Sequence, residues 1–110
     1  MSDSVISVNE SNFTDEVLNS TLPVLVDFSA VWCGPCQRQL PVLEKFATDN
    51  LDRVKICKVD VDESPALSAK FGIRGVPSII LFNAGKQIDM KVGLTSSAAL
   101  DNLLLEKVGS

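Results

Sequence analysis

The run Pro23-Val24-Leu25-Val26-Asp27-Phe28 constrains the fold more than any other feature of this chain. It is rich in β-branched and apolar residues and shows no alternation of apolar with polar. A strand with one wet face alternates, so this one needs cover on both faces and a place inside a sheet. The rest of the chain has to supply neighbouring strands and two layers of cover. Val5–Val8, Val54–Val61, Pro77–Phe82 and Gln87–Val92 read as further strands. The last two are joined by a turn at Asn83–Lys86 that contains Gly85, which makes them a β-hairpin.

Four helical segments fall between the strands. Asn12–Leu18 places Phe13, Val17 and Leu18 on one face, with Asp15 and Glu16 near its N-terminal end. From Pro35 to about Asp49, Leu40, Leu43, Phe46 and Ala47 form a stripe, while Glu44, Lys45 and Thr48 face away. Ser64-Pro65 is a helix start and Gly72 a stop. Thr95 or Ser96 caps a last helix whose buried side is Ala99, Leu100, Leu103 and Leu104. The order β-α-β-α-β-α-β-β-α gives parallel strands joined by right-handed crossovers, followed by an antiparallel hairpin. The expectation is an α/β fold over residues 1–110: one domain, a central mixed five-stranded sheet, and four helices flanking it on both faces.

A chain of 110 residues builds one hydrophobic core without disulfide staples. Its three cysteines are an odd number, and two of them are only three positions apart, so they are no secreted-type framework. Net charge is −4 with no cluster of Lys or Arg, which argues against nucleic acid or an anionic membrane as partner. The start Met1-Ser2-Asp3-Ser4 has no basic segment leading into an apolar one, and no apolar run nears the ~20 residues of a membrane span. The expected location is the cytosol, where disulfides are transient and catalytic.

Cys33-Gly34-Pro35-Cys36 stands where the strand ending near Phe28 hands over to a helix. Open α/β sheets place active sites at such carboxyl ends of strands. Cys33 at or near the N-cap faces orphan backbone N–H groups and the positive end of the helix dipole, which stabilise a thiolate. The thiolate is the nucleophile in disulfide exchange. Cys36 returns to the same side of the first turn, within reach of Cys33, to attack the mixed disulfide formed with a substrate. Gly34 allows tight geometry, and Pro35 loses little by lacking an N–H in a first turn. A zinc half-site and two unrelated buried cysteines are the competing readings; zinc needs two more ligands, and the chain has no His and only Cys57 to spare. No metal site is expected.

Taken together, Val24-Leu25-Val26-Asp27-Phe28, Trp32-Cys33-Gly34-Pro35-Cys36, Pro41, Lys58-Val59-Asp60, Phe71-Gly72-Ile73-Arg74-Gly75-Val76-Pro77 and Gly93 resemble the thioredoxin family in order and spacing. The resemblance spans essentially the whole chain and implies the thioredoxin fold. It also implies a protein-disulfide reductase with no cofactor beyond a Cys33–Cys36 disulfide, working as a monomer. The implied partners are disulfide-containing proteins and a flavin- and NADPH-dependent thioredoxin reductase.

By the same resemblance Asp27 moves protons to and from Cys36. A lone carboxylate in an apolar strand has a raised pKa on physical grounds alone. Simple pairing of Asp27 with Lys58 is the plainer alternative, and both can hold together. Val76-Pro77 resembles the family's cis-proline segment, which shapes a groove and leaves the Val76 backbone to pair with an extended substrate. Trp32, Gly75, Val76 and Gly93 then line an apolar docking surface, although Trp32 taken alone also suits partial core packing.

Three positions depart from the family. Ser29 stands where many members have Trp, which loosens packing beside the active-site helix. Gln37-Arg38-Gln39 replaces a Lys and apolar residues; as plain sequence it is a solvated helix face, and as a tuning element Arg38 lowers the Cys33 pKa or selects acidic partners. Cys57, mid-strand, reads as a small buried hydrophobe. Two other functions compete with reduction: a disulfide oxidase or isomerase of the same fold, and a binding subunit in which redox turnover is incidental. Gly-Pro between the cysteines resembles reducing members of the family rather than oxidising ones, which often carry a His there, and this chain has no His.

Overall fold

The computed structural model describes residues 4–109, so most of the polar start lies outside the described residues. Five strands form one sheet: β1 (Val5–Val8), β2 (Val24–Ser29), β3 (Lys55–Asp60), β4 (Ser78–Asn83) and β5 (Lys86–Val92). Their spatial order is β1-β3-β2-β4-β5. β3 runs parallel to both β1 and β2, β4 lies antiparallel to β2, and β5 antiparallel to β4. Thus β2 is the central strand, and all six of its residues are buried, as its unbroken apolar run requires. The turn between β4 and β5 uses Ala84 at φ 53° and Gly85 at φ 77°. Positive φ at both central residues matches the twist of a two-residue hairpin.

Side chains alternate across the sheet and divide the core in two. Val24, Val26 and Phe28 of β2 join Cys57, Val59, Ile80 and Phe82 on one face, covered by Phe13, Val17 and Leu67. Phe13, Phe28, Phe71 and Phe82 pack there with ring centroids 5.3–6.1 Å apart. Leu25 joins Ile56, Ile79 and Leu81 on the other face, against Leu43, Phe46, Leu100, Leu103 and Leu104. The helices behind these residues are α1 (Gly34–Asp49), α2 (Pro65–Lys70) and α3 (Ser97–Val108). α1 and α3 cover the Leu25 face. α2 and a short π-helical segment, Thr14–Leu18, cover the other.

Several local expectations shift. The first helix is that π-helical segment and starts later than Asn12, because the Asn9 side chain accepts from the Ser11 and Asn12 N–H groups. Such local bonds compete with helix initiation. Ser64 precedes α2 but makes no side-chain cap bond, whereas Ser96, rather than Thr95, caps α3 by accepting from the Ala99 N–H. The buried stripe of α1 is Cys36, Gln39, Leu43, Phe46 and Ala47. Leu40 is only half-buried. The solvated-face reading of Gln39 is therefore corrected: a three-residue step from Cys36 sets the phase of the stripe and takes Gln39 inside.

Candidate active site

β2 ends at Ser29 and the chain turns through Val31 and Trp32 before α1. Cys33 occupies the N-cap of α1 with extended backbone, φ −95° and ψ 115°. Its Sγ accepts a hydrogen bond from the Cys36 N–H at 3.1 Å. Sulfur here takes the place that a Ser or Asp oxygen takes in an ordinary N-cap. The partial positive charge of the helix start is thereby aimed at the Cys33 sulfur. Pro35 sits in the first turn, where no intrahelical N–H bond is lost.

Cys33 and Cys36 are joined as a disulfide, with Cα atoms 5.2 Å apart. The two cysteines are equally sheltered, each 5% exposed. Attacking and resolving roles are therefore not distinguished by exposure in the oxidised form, where Ala30, Val61 and Val76 pack against the pair. What separates them is their polar surroundings. Cys33 Sγ lies 3.6 Å from the Val76 carbonyl oxygen, in addition to receiving the Cys36 N–H.

The peptide between Val76 and Pro77 is cis. Gly93, at φ 93°, donates its N–H to the Pro77 carbonyl at 2.8 Å. The Ser78 hydroxyl donates to the Gly75 carbonyl. Gly75, Val76, Pro77 and Gly93 are thus tied together on the side of the disulfide opposite α1. A hollow of about 170 Å³ adjoins them, lined by Trp32, Val61, Ser68, Ile73, Arg74, Gly75 and Val76. Trp32 stands 69% exposed at its edge, so the core-packing alternative for this residue is set aside. Its indole N–H donates to Asp62 Oδ2 at 2.8 Å. Asp62 escaped the sequence reading because nothing local marks it as a partner of a residue 30 positions earlier.

Asp27 is 1% exposed, and among the described residues neither of its oxygens has a hydrogen-bond partner. By alternation from Leu25 it lies on the sheet face that α1 covers, with Lys58 and Ile79 as its register neighbours. The expected Asp27–Lys58 pair does not close into a bonded contact. Strand pairing sets the two side by side on one face, but the ammonium acts only at a distance. Burial pushes the Asp27 carboxyl up to about 7, and the Lys58 charge partly offsets that rise. Cys57 is fully buried on the opposite face, and burial pushes its thiol up to about 12. Arg38 is exposed on α1 and Ser29 is buried at the end of β2. Among the described residues, no group of three or more His, Cys, Asp or Glu is placed to hold a metal. No described helix is long and apolar enough to cross a membrane.

A Cys-x-x-Cys disulfide at the N-terminus of a helix, beside a cis-proline segment and following a strand that carries a buried acid, defines a thiol–disulfide oxidoreductase of the protein-disulfide-reducing type. Comparison with known proteins agrees: the thioredoxin family profile matches residues 4–106, and the chain belongs to the thioredoxin family. It is 44% identical to a thioredoxin of Acidithiobacillus ferridurans over 104 residues, which cover 94% of this chain and 96% of that one. A thioredoxin of Rickettsia prowazekii is 44% identical over 87% of this chain and 91% of its own. Thioredoxin 1 of Synechococcus elongatus is 42% identical over 89% and 92%.

Proposed function

We propose that the reaction runs as an asymmetric dithiol exchange in which Cys33 attacks and Cys36 resolves. In the reduced protein the Cys33 thiolate, favoured by the Cys36 N–H and the helix start, attacks one sulfur of a substrate disulfide. A mixed disulfide forms and the other substrate sulfur leaves as a thiolate. Cys36 then loses its proton to Asp27 and attacks Cys33 Sγ, which releases the second substrate sulfur. Two electrons pass to the substrate, and the protein is left as the Cys33–Cys36 disulfide. Asp27 suits the proton transfer because its carboxyl, raised to about 7, is divided between its two forms near neutral pH. Lys58 biases that division toward the carboxylate, and Gly34 and Pro35 hold the turn that keeps the two sulfurs within reach.

Substrate docks as an extended segment along Val76, whose backbone follows the cis-proline Pro77, between Trp32 and Gly75 on one side and Gly93 on the other. The chain works as a monomer in the cytosol without any cofactor beyond its disulfide. A flavin- and NADPH-dependent thioredoxin reductase restores the dithiol. The observation that carries this reading is the Cys33 sulfur serving as N-cap acceptor of α1. Dithiothreitol-driven reduction of insulin tests it: the native protein accelerates precipitation of the insulin B chain, and Cys33→Ser abolishes the effect. Failure of the native protein to accelerate it refutes the reading.

A further inference from the structure

Gln39 is fully buried, one turn beyond Cys36 on α1, at a position where the stripe pattern calls for an apolar residue. Its amide is paired reciprocally with the backbone of Thr95. Gln39 Nε2 donates to the Thr95 carbonyl at 2.9 Å, and Gln39 Oε1 accepts from the Thr95 N–H at 2.8 Å. The primary amide offers a donor and an acceptor side by side without charge, whereas Leu offers neither and an ionised Glu offers no donor, so neither can satisfy both groups. Thr95 immediately precedes the N-cap of α3, which makes its cap bond with the Ser96 hydroxyl instead.

From Thr95 the chain of bonds continues. The Thr95 hydroxyl donates to the Gly93 carbonyl at 3.1 Å, and the Gly93 N–H donates to the Pro77 carbonyl at 2.8 Å. The preceding Val76 carbonyl lies 3.6 Å from Cys33 Sγ. The path from the helix that carries Cys36 therefore returns to the sulfur of Cys33 and closes a circuit around the disulfide. Its middle portion, Gly93–Thr95, is a loop between β5 and α3 that carries Leu94, an exposed apolar side chain. With α1 packed on the sheet, Gln39 is the rigid end of that circuit.

We infer that Gln39 is a positioning residue for substrate docking: acting through Thr95 and Gly93, it holds the wall of the groove opposite Trp32 at a set distance from Cys33. The inference rests on the docking reading above. Loss of the amide leaves the two Thr95 backbone groups buried and unpaired, so the loop shifts to rehydrate them and the groove loses its shape. A large protein substrate, which needs the wall, is affected. A small aromatic disulfide, which needs only the Cys33 thiolate, is not.

Single-turnover oxidation of the reduced protein, followed by acid quench and thiol alkylation, separates the two kinds of substrate. Gln39→Leu is expected to raise the half-saturating concentration of insulin roughly tenfold, the equivalent of one lost hydrogen bond. Its limiting rate and its rate with 5,5′-dithiobis(2-nitrobenzoic acid) stay within about twofold of native. Thr95→Val, which removes only the hydroxyl link, shifts insulin in the same direction, and Thr95→Ser restores it. Exchange of the Gly93 amide accelerates relative to the core amides of β2. If Gln39→Leu fails to fold, the Thr95 pair and the Gly93 amide decide the matter. Unchanged insulin saturation in folded variants overturns the inference, and so does an equal loss with the small disulfide, which would place the effect on the thiols. Failure of the native protein to reduce insulin refutes the docking reading instead.

Discussion

Asp27 is the residue whose replacement separates stability from turnover most sharply. Its carboxyl is buried, lacks any bonded partner among the described residues, and is raised from the ordinary 3.8 to about 7. The folded protein therefore holds a proton on Asp27 that the unfolded chain gives up between those two values. Stability linked to this proton is fully present below pH 3.8, is lost as pH rises through about 7, and changes no further above that. At about 1.4 kcal/mol for each tenfold change in proton affinity, ionised Asp27 costs the fold roughly 4 kcal/mol.

Asp27→Asn keeps the shape and removes the charge. Its amide finds no more partners than the acid did, and that deficit, about 1–3 kcal/mol, is the same at every pH. The pH dependence is thus the cleaner quantity. Urea unfolding of the oxidised protein is expected to show the Asn variant gaining roughly 3–4 kcal/mol on the native chain between about pH 4 and about pH 8.5. The resolving step should slow at the same time, measured as a longer-lived mixed disulfide. A stability difference that does not vary with pH refutes the buried-charge account, because no other feature of Asp27 titrates in that window.

Other outcomes follow from the geometry. The reduced Cys36→Ser protein, mixed with insulin whose disulfides are intact, should trap a mixed disulfide between Cys33 and an insulin chain, visible by intact mass; release of substrate without an adduct overturns the assigned order of attack. Cys57, at about 12, is ionised to the extent of one part in ten thousand near pH 8. Iodoacetamide should therefore leave it unlabelled in the native protein and modify it once denaturant is added. Asp62→Ala removes the acceptor of the exposed Trp32 N–H; freeing that ring, at a cost of about 1 kcal/mol or less, should weaken insulin saturation a few-fold and shift Trp32 emission to the red. Gly93→Ala forces a side chain onto φ 93° and should cost about 1–2 kcal/mol in urea unfolding while weakening insulin docking.

The sheet and its layers were legible because their signals are local. An unbroken apolar strand, a Ser-Pro helix start and a two-residue hairpin turn each depend on neighbours within a few positions. Cys33 as N-cap was legible for the same reason, since the strand-to-helix junction and the Cys-x-x-Cys spacing coincide. Gln39 was not legible. A polar residue in a buried stripe is recognisable only once its partner is known, and that partner, Thr95, is 56 positions away. Asp62 is hidden in the same manner behind Trp32. Lys58 illustrates the opposite failure: its place beside Asp27 follows from the strand pattern, but whether two adjacent charges close into a pair depends on side-chain conformation, which no spacing encodes.

The two cysteines share one burial, so the division of labour proposed for them has to come from charge. A negative charge on Cys33 Sγ meets the Cys36 N–H and the start of a sixteen-residue helix. A negative charge on Cys36 develops on the face where Asp27 lies, and an ionised carboxylate in that low-dielectric setting opposes it. In the proposed mechanism Cys36 gives up its proton to Asp27, so the carboxylate that opposes a charge on Cys36 is also the proposed acceptor. Burial sets both halves of this arrangement. It makes Asp27 costly to the fold above neutral pH and brings its affinity for a proton close to neutral pH, where the proposed transfer would take place. A substitution that relieves the cost by removing the charge removes the proposed acceptor with it, so on this mechanism greater stability and faster resolution exclude each other at this position.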